Sequence, residues 1–181
     1  FGGAIKGYGD NLVNADSEIL TIQELLVRDY KKDDLFFSRP AEDSKIFTGA
    51  LMYFWEMLEW EKRLNDPQDR MFLGTKIQIA KPKVIIREQR NFVVNGEISA
   101  SSYYGHGKMT HEVSPEDMEF AQEMANLYQP APVFTLDTCV LEDGTRKVVE
   151  TNCFNSSGFY WADVYKMVQD INRYVMENYE K

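Results

Sequence analysis

Two hairpin signatures separated by one well-capped helix narrow the folds open to this chain more than anything else in it. Asn95-Gly96 lies between the apolar-rich runs Val84–Val94 and Glu97–Tyr104, and Glu142-Asp143-Gly144-Thr145 lies between Val133–Leu141 and Arg146–Phe154. Asn-Gly and Asp-Gly tolerate the positive φ angles that tight hairpin turns demand, so each run pair reads as two antiparallel strands. Between the hairpins, Ser114-Pro115-Glu116-Asp117 offers an N-cap, a proline at the first helical position and an acid three residues beyond the cap. That pattern predicts a helix running to about Tyr128. An amphipathic segment from about Tyr160 to Asn178 predicts a closing helix.

Upstream the signals are shorter. Asp16 and Ser17 followed by Ile19, Leu20, Ile22, Leu25 and Leu26 predict a short amphipathic helix, and Leu35–Ser38 a strand. The aromatic-rich stretch from about Thr48 to Leu64 predicts a largely buried helix ended by Asp66-Pro67, and Met71–Ala80 a strand ended by Lys81-Pro82-Lys83. Helices following pairs of antiparallel strands make the class α+β.

Composition removes several functions. A chain of 181 residues has room for one core, or for two small lobes. Its net charge of −9 disfavours an unaided electrostatic grip on nucleic acid or on an anionic bilayer. The longest apolar run, Ala50–Trp55, is six residues, too short to span a membrane as a helix. Cys139 and Cys153 make no disulfide framework; they fall on opposite faces of the second hairpin and read as small core residues, with a reducing cytoplasm as the expected setting. His106 and His111 have no third ligand close in sequence, so a zinc site does not follow.

Counting back across the second hairpin from an Asp143-Gly144 turn places Asp137 opposite Glu150 and Thr135 opposite Asn152. Opposed carboxylates repel. With Asn152 on the same face, they also form the hard-oxygen set that Mg²⁺ takes while keeping sites for water and phosphate. A solvated acidic face is the other reading of this pattern. The same count across the first hairpin puts Glu88, Arg90 and Phe92 on one face with Ser99, Ser101 and Tyr103. Arg90 there reads either as a bidentate phosphate holder or as half of a surface pair with Glu88. Arg39 and Lys45 flank a polar turn that is either a mobile phosphate clamp or a solvated loop. Tyr160, Trp161 and Tyr165 read as packing residues. Phe1–Gly9, with four glycines, matches neither a P-loop nor a dinucleotide fingerprint.

Several segments together resemble one family. Phe37–Gly49 (with Arg39-Pro40, Asp43-Ser44-Lys45 and Phe47-Thr48-Gly49), Glu88–Gly96, Leu136-Asp137 and Val149–Tyr160 (with Glu150, Asn152 and Asn155-Ser-Ser-Gly158-Phe-Tyr160) resemble, in order, motifs of ATP-grasp proteins. They are those of the clade named for two arginines and a lysine, found in bacteriophages and bacteria. The resemblance covers about residues 8 to 175. It implies ATP and Mg²⁺ held by two α+β lobes with antiparallel sheets. Residues 1–33 would be the remnant of a preceding region, 34–82 the first subdomain and 83–181 the second, with the metal site. Arg39, Lys45 and Arg90 map onto the named cations as phosphate contacts, with Arg90 and Lys45 catalytic. The strand end at Ala80-Lys81 would meet the adenine, Glu88 would lie near the nucleotide, and Asp137, Glu150 and Asn152 match the metal ligands.

The implied reaction is an ADP-forming ligation through an acyl phosphate. It joins a small-molecule or peptide carboxylate to an amine, less often a thiol, in the cytoplasm (the host's, if phage-encoded). A catalytically silent nucleotide-binding module and an ATP-dependent phosphoryl transferase are the alternatives. ATP-grasp proteins usually carry a further N-terminal domain, and Gly7–Leu26 reads as the tail of one.

Overall fold

The computed structural model describes residues 7–41, 46–64, 71–105 and 109–179. The chain divides into two compact units, Asp16–Pro82 and Phe1–Ala15 with Lys83–Lys181. Both are antiparallel sheets with helices, the α+β class expected.

In the Asp16–Pro82 unit, β1 (Glu18–Thr21) runs straight into α1 (Ile22–Leu26). The helix expected from Ser17 therefore starts five residues late. The cause is a capping box. The Thr21 hydroxyl accepts from the Glu24 amide at 3.1 Å, and the Glu24 carboxylate accepts from the Thr21 amide at 2.7 Å. The cap fixes where the helix begins and leaves Glu18–Thr21 extended, pairing Leu20 with Ile77. Next come β2 (Leu35–Pro40) and β3 (Ala50–Tyr53), then α2 (Phe54–Leu58), α3 (Trp60–Leu64) and β4 (Lys76–Ala80).

The single helix expected over 48–64 is thus an edge strand and two short helices. The Glu56 carboxylate accepts from the Tyr53 amide at 2.7 Å, which starts α2 only after β3 has paired with β2. The strand expected from Met71 also starts later, because a Phe72–Thr75 turn precedes it, with the Thr75 amide donating to the Phe72 carbonyl at 2.8 Å. The sheet order is β1-β4-β2-β3, and Leu20, Ile22, Leu25, Phe54, Met57, Trp60, Ile77 and Ile79 form the core on one face.

The other unit holds β5 (Ile85–Val94), β6 (Glu97–Tyr104), α4 (Pro115–Leu127), β7 (Val133–Leu141), β8 (Arg146–Cys153) and α5 (Val164–Tyr179). Its sheet order is β6-β5-β7-β8. Asn95 and Gly96 both take positive φ, 51° and 86°, as the tight turn requires. Val93, Phe134, Leu136 and Val148 pack one face of this sheet with Met124 and Ala125 of α4. Phe92 and Ala100 meet Ala162 and Met167 on the opposite face.

Asp117, in the first turn of α4, fastens that helix to the sheet. Its side chain is 4% exposed. It accepts from the Tyr103 hydroxyl at 2.6 Å, from Arg87 Nε at 2.9 Å and from Arg146 Nε at 2.7 Å, so β5, β6 and β8 converge on one carboxylate. Burial pushes this carboxyl up, but Tyr103, Arg146 and Arg87 outweigh it and hold it below the ordinary range. A carboxyl depressed on folding stabilises the protein above its unfolded pKa, and that contribution fades as pH drops through the folded value. Asp117→Asn should therefore cost about 1–3 kcal/mol at pH 7, allowing for the partly exposed arginines. It should also flatten the loss of stability below about pH 4. Urea denaturation at pH 7 and across pH 2–5 checks both.

Candidate functional site

The face of the β6-β5-β7-β8 sheet opposite α4 carries rows of side chains that cross all four strands. One row is Ser102, Arg90, Asp137 and Glu150, and the next is Ala100, Phe92, Thr135 and Asn152. On the other side of the Arg90 row lie Tyr104, Glu88, Cys139 and Lys147. The residue spacing along each strand, two per step, is what puts the rows on one face.

The opposition of Asp137 to Glu150 and of Thr135 to Asn152 is present as expected, although the turn is not the one assumed. Three residues, Glu142, Asp143 and Gly144, form the loop, with Leu141 and Thr145 bonded across it at 2.9 Å and Gly144 at φ 82°. That shifts the register by one. A bulge between Asp137 and Thr138, where Val149 is the extra residue on β8, shifts it back.

The first hairpin has one irregularity, between Phe92 and Val93, and nothing restores the count. Arg90 consequently faces Ser102 and Tyr104, not the expected Ser101 and Tyr103. The latter two lie on the α4 side, where the Ser101 hydroxyl donates to Asn91 at 2.7 Å and Tyr103 binds Asp117.

Arg90 is not paired on the surface with Glu88. Its guanidinium grips Asp137 with both arms of a fork, Nε to Oδ1 at 2.8 Å and Nη2 to Oδ2 at 2.6 Å. Their side chains are 11% and 1% exposed. Nη1 also donates to the Gly158 carbonyl at 3.4 Å. The guanidinium carbon lies 5.3 Å from the Tyr104 ring centre and 5.2 Å from that of Tyr160. The two rings stack on each other 4.8 Å apart and nearly parallel. Tyr160 reaches this position through a left-handed backbone, φ 50°.

Hydrogen bonds to Asp137 keep Arg90 charged, against its burial. Burial pushes the Asp137 carboxyl above its usual range, and the nearby Glu150 charge adds to this, while Arg90 and Tyr104 pull against it. Burial likewise raises Tyr104 and pushes the Cys139 thiol up to about 12, so Cys139 is no nucleophile at neutral pH. Cys153 is exposed, not the core residue expected, because β8 is the sheet's edge strand.

Glu150 accepts from Asn152 Nδ2 at 2.7 Å, which leaves Asn152 Oδ1 as the amide atom able to meet a cation. Among the described residues no three His, Cys, Asp or Glu side chains come together to hold a metal ion, so the third donor of this patch is an amide. Two carboxylates and an amide oxygen, with the Glu150 charge near enough to act on Asp137, fit the donor chemistry of Mg²⁺. Sequence reasoning missed Tyr104, Gly158 and, in its role beside Arg90, Tyr160. The Asn155–Tyr160 motif was the signal that could have found two of them.

Three of the remaining expected residues lie in the described part of the Asp16–Pro82 unit. Arg39 is half-buried in β2 opposite Gln78, Ala80 is the buried last residue of β4 opposite Phe37, and Lys81 follows it exposed. Lys45 and His106 lie outside the described residues.

A family model for the ATP-grasp domain, family 3 of the clade named for two arginines and a lysine, matches residues 10–171. The chain belongs to the ATP-grasp family. No curated protein sequence matches it. Among solved structures, the ATP-grasp ligase PsnB with a minimal precursor, Mg and ADP is similar at 14% identity and a TM-score of 0.58, over 86% of this chain and 50% of that one. D-cycloserine synthetase DcsG is similar at 13% identity and 0.57, over 94% and 67%. The D-alanine–D-alanine ligase of Coxiella burnetii is similar at 15% and 0.54, over 96% and 56%. The chain spans about half the length of the PsnB structures. These likenesses are of the ATP-grasp fold, two antiparallel sheets with helices.

The buried pair yields a stability prediction for this ATP-grasp domain. Arg90→Met alone should cost about 3–5 kcal/mol, because it leaves the Asp137 charge buried and unpaired. Adding Asp137→Leu should recover most of that loss. A double-mutant cycle by urea denaturation measures the coupling.

Proposed function

We propose that this ATP-grasp domain binds Mg·ATP and belongs to an ADP-forming ligase that joins a small-molecule or peptide carboxylate to an amine. The observation that carries the reading is the Ser102-Arg90-Asp137-Glu150 row. A forked cation and two carboxylates, the charge of Glu150 pushing the Asp137 carboxyl up, stand side by side on one sheet face within a chain of the ATP-grasp family. In the relatives' solved structures, PsnB was captured with Mg and ADP.

The chain's own residues divide the work as follows. Arg90 and Asp137 neutralise one another while no nucleotide is present, which makes a buried guanidinium tolerable. A bound triphosphate offers Arg90 oxygens of the same planar, bidentate geometry as the carboxylate it holds, so the fork can exchange partners without leaving its tyrosine platform. Asp137, Glu150 and Asn152 would hold Mg²⁺, which supplies neutralising charge for the phosphoryl group being transferred. Arg39 and Lys45 are assigned to the phosphates, Ala80 and Lys81 to the adenine through the backbone, and Glu88 to the neighbourhood of the nucleotide.

In the reaction, a carboxylate oxygen of the acceptor forms a bond to the γ-phosphorus as the bond to the β-bridging oxygen breaks, releasing ADP. The amine then displaces phosphate from the acyl phosphate and gives up its proton. Positioning and charge stabilisation suffice for both steps. No protein nucleophile is needed, in keeping with the raised thiol of Cys139.

Two measurements test the proposal. Asp137→Asn and Glu150→Gln should each weaken Mg·ATP binding about tenfold or more by titration calorimetry, since each removes a charged ligand. Arg90→Lys should weaken it although the charge is kept, because the fork is lost. Parent-like affinity in all three variants would move the site elsewhere. Release of ADP only when carboxylate and amine are both supplied marks a ligase. Release into a phosphorylated product without ligation would instead mark a phosphoryl transferase.

A further inference from the structure

The Asp16–Pro82 unit contains a polar side chain that its own fold leaves unused. Gln78, in the middle of β4, is 1% exposed. Neither its amide nitrogen nor its amide oxygen has a hydrogen-bond partner, and among the described residues no other side chain is buried with two unmet polar atoms. Buried amides are ordinarily satisfied, and an unmet donor and acceptor in one side chain are a standing cost to folding. A leucine or methionine would fill the same space without that cost.

The position identifies what the amide is for. Ile77 and Ile79 turn to the hydrophobic core, so Gln78 and Ala80 share the opposite face of β4. Register places Gln78 directly across from Arg39 on β2 and Ala80 across from Phe37. On the far side of β4, Gln78 faces Ile19, which is 49% exposed. The orphan amide therefore lies on the sheet face that also carries Arg39 and the strand end at Ala80, away from the core.

We propose that Gln78 reads the adenine base of the nucleotide, accepting from N6–H and donating to N7. This rests on the Mg·ATP reading above. An amide presents one donor and one acceptor side by side, and the complement on a purine edge is an acceptor beside a donor. Adenine offers that pair at N7 and N6, the pair that glutamine meets in bidentate fashion, whereas guanine offers two acceptors at N7 and O6. Gln78 is a specificity-determining residue whose unmet hydrogen bonds in the free protein are met by the base.

The test compares Mg·ATP, Mg·7-deaza-ATP, in which N7 is a carbon, and Mg·GTP by titration calorimetry on the parent chain and on Gln78→Leu. The parent should bind 7-deaza-ATP and GTP roughly 5- to 100-fold more weakly than ATP. Gln78→Leu should bind ATP at the level of 7-deaza-ATP, so that the ratio between them falls to about one. Without nucleotide, the variant should melt a few degrees above the parent, as expected when a buried unmet amide is replaced by a side chain of similar size. A parent that binds ATP and 7-deaza-ATP equally overturns the proposal, even if the variant fails to fold. So does a variant that keeps the parent's ratio, which would give N7 to another residue, or one that melts below the parent, which would show the amide already satisfied by water. A parent that binds none of the three nucleotides overturns the Mg·ATP reading itself.

Discussion

A guanidinium and a carboxylate that have both left water must find one another, and the Arg90–Asp137 pair meets this requirement across the two central strands of its sheet. Neither ion could be buried alone without a penalty of several kcal/mol. Their fork geometry ties β5 to β7 at the centre of the face, with Ser102 to one side and Glu150 to the other. Removing the pair's water also brings the Glu150 charge into play, because Coulomb interactions strengthen as the surroundings become less polar. The tyrosines complete this environment. Tyr104 and Tyr160 bring their stacked rings up against the cation, and the left-handed backbone at Tyr160 is the strain accepted to bring the second ring into place.

The opposite face of the same sheet solves a different problem with the same chemistry. Asp117 gathers Arg87, Arg146 and Tyr103, all satisfied, and its job is to anchor a helix. The contrast between the two carboxylates is instructive. Asp117 is held low by more partners than it needs. Asp137 is pushed high in spite of a two-pronged arginine, because it is buried and a second carboxylate stands beside it. An arrangement in which every charge is met is architectural, and the one that leaves a carboxylate under pressure is the one to which the proposed function assigns a cation.

Much of the second unit was legible in the sequence because its elements announce themselves locally. Asn95-Gly96 and Ser114-Pro115 leave little freedom, and strands β6 and β7 begin and end where the alternation does. The partner of Arg90 was not legible. A single-sequence reading pairs charges within one hairpin, which favours Glu88, while the true partner arrives from the next hairpin through β5–β7 pairing. The Asp16–Pro82 unit was harder still. Its elements are four to six residues long, and capping contacts at Thr21 and Glu56 decide where each helix begins, so that Glu18–Thr21 and Ala50–Tyr53 become strands inside segments whose apolar spacing reads as helix. The metal-ligand candidates were found by a count that ignored two errors of opposite sign, the third loop residue and the Val149 bulge.

That cancellation has a consequence for how such a hairpin can slip. Side-chain facing in a strand is a two-state property, so at a fixed sequence each one-residue slip of register inverts it for everything beyond. Between Leu141 and Glu150 the chain carries two such slips, and the site rows see only their product. Tightening the turn to Asp143-Gly144 with the bulge kept, or straightening β8 through Val149 with the three-residue loop kept, would turn Glu150 and Asn152 to the α4 side of the sheet and bring Thr151 round in their place. Making both changes together would leave the rows intact. A one-residue deletion, by contrast, is absorbed where it falls: without one loop residue Leu141 still meets Thr145, and without Val149 Glu150 still meets Asp137.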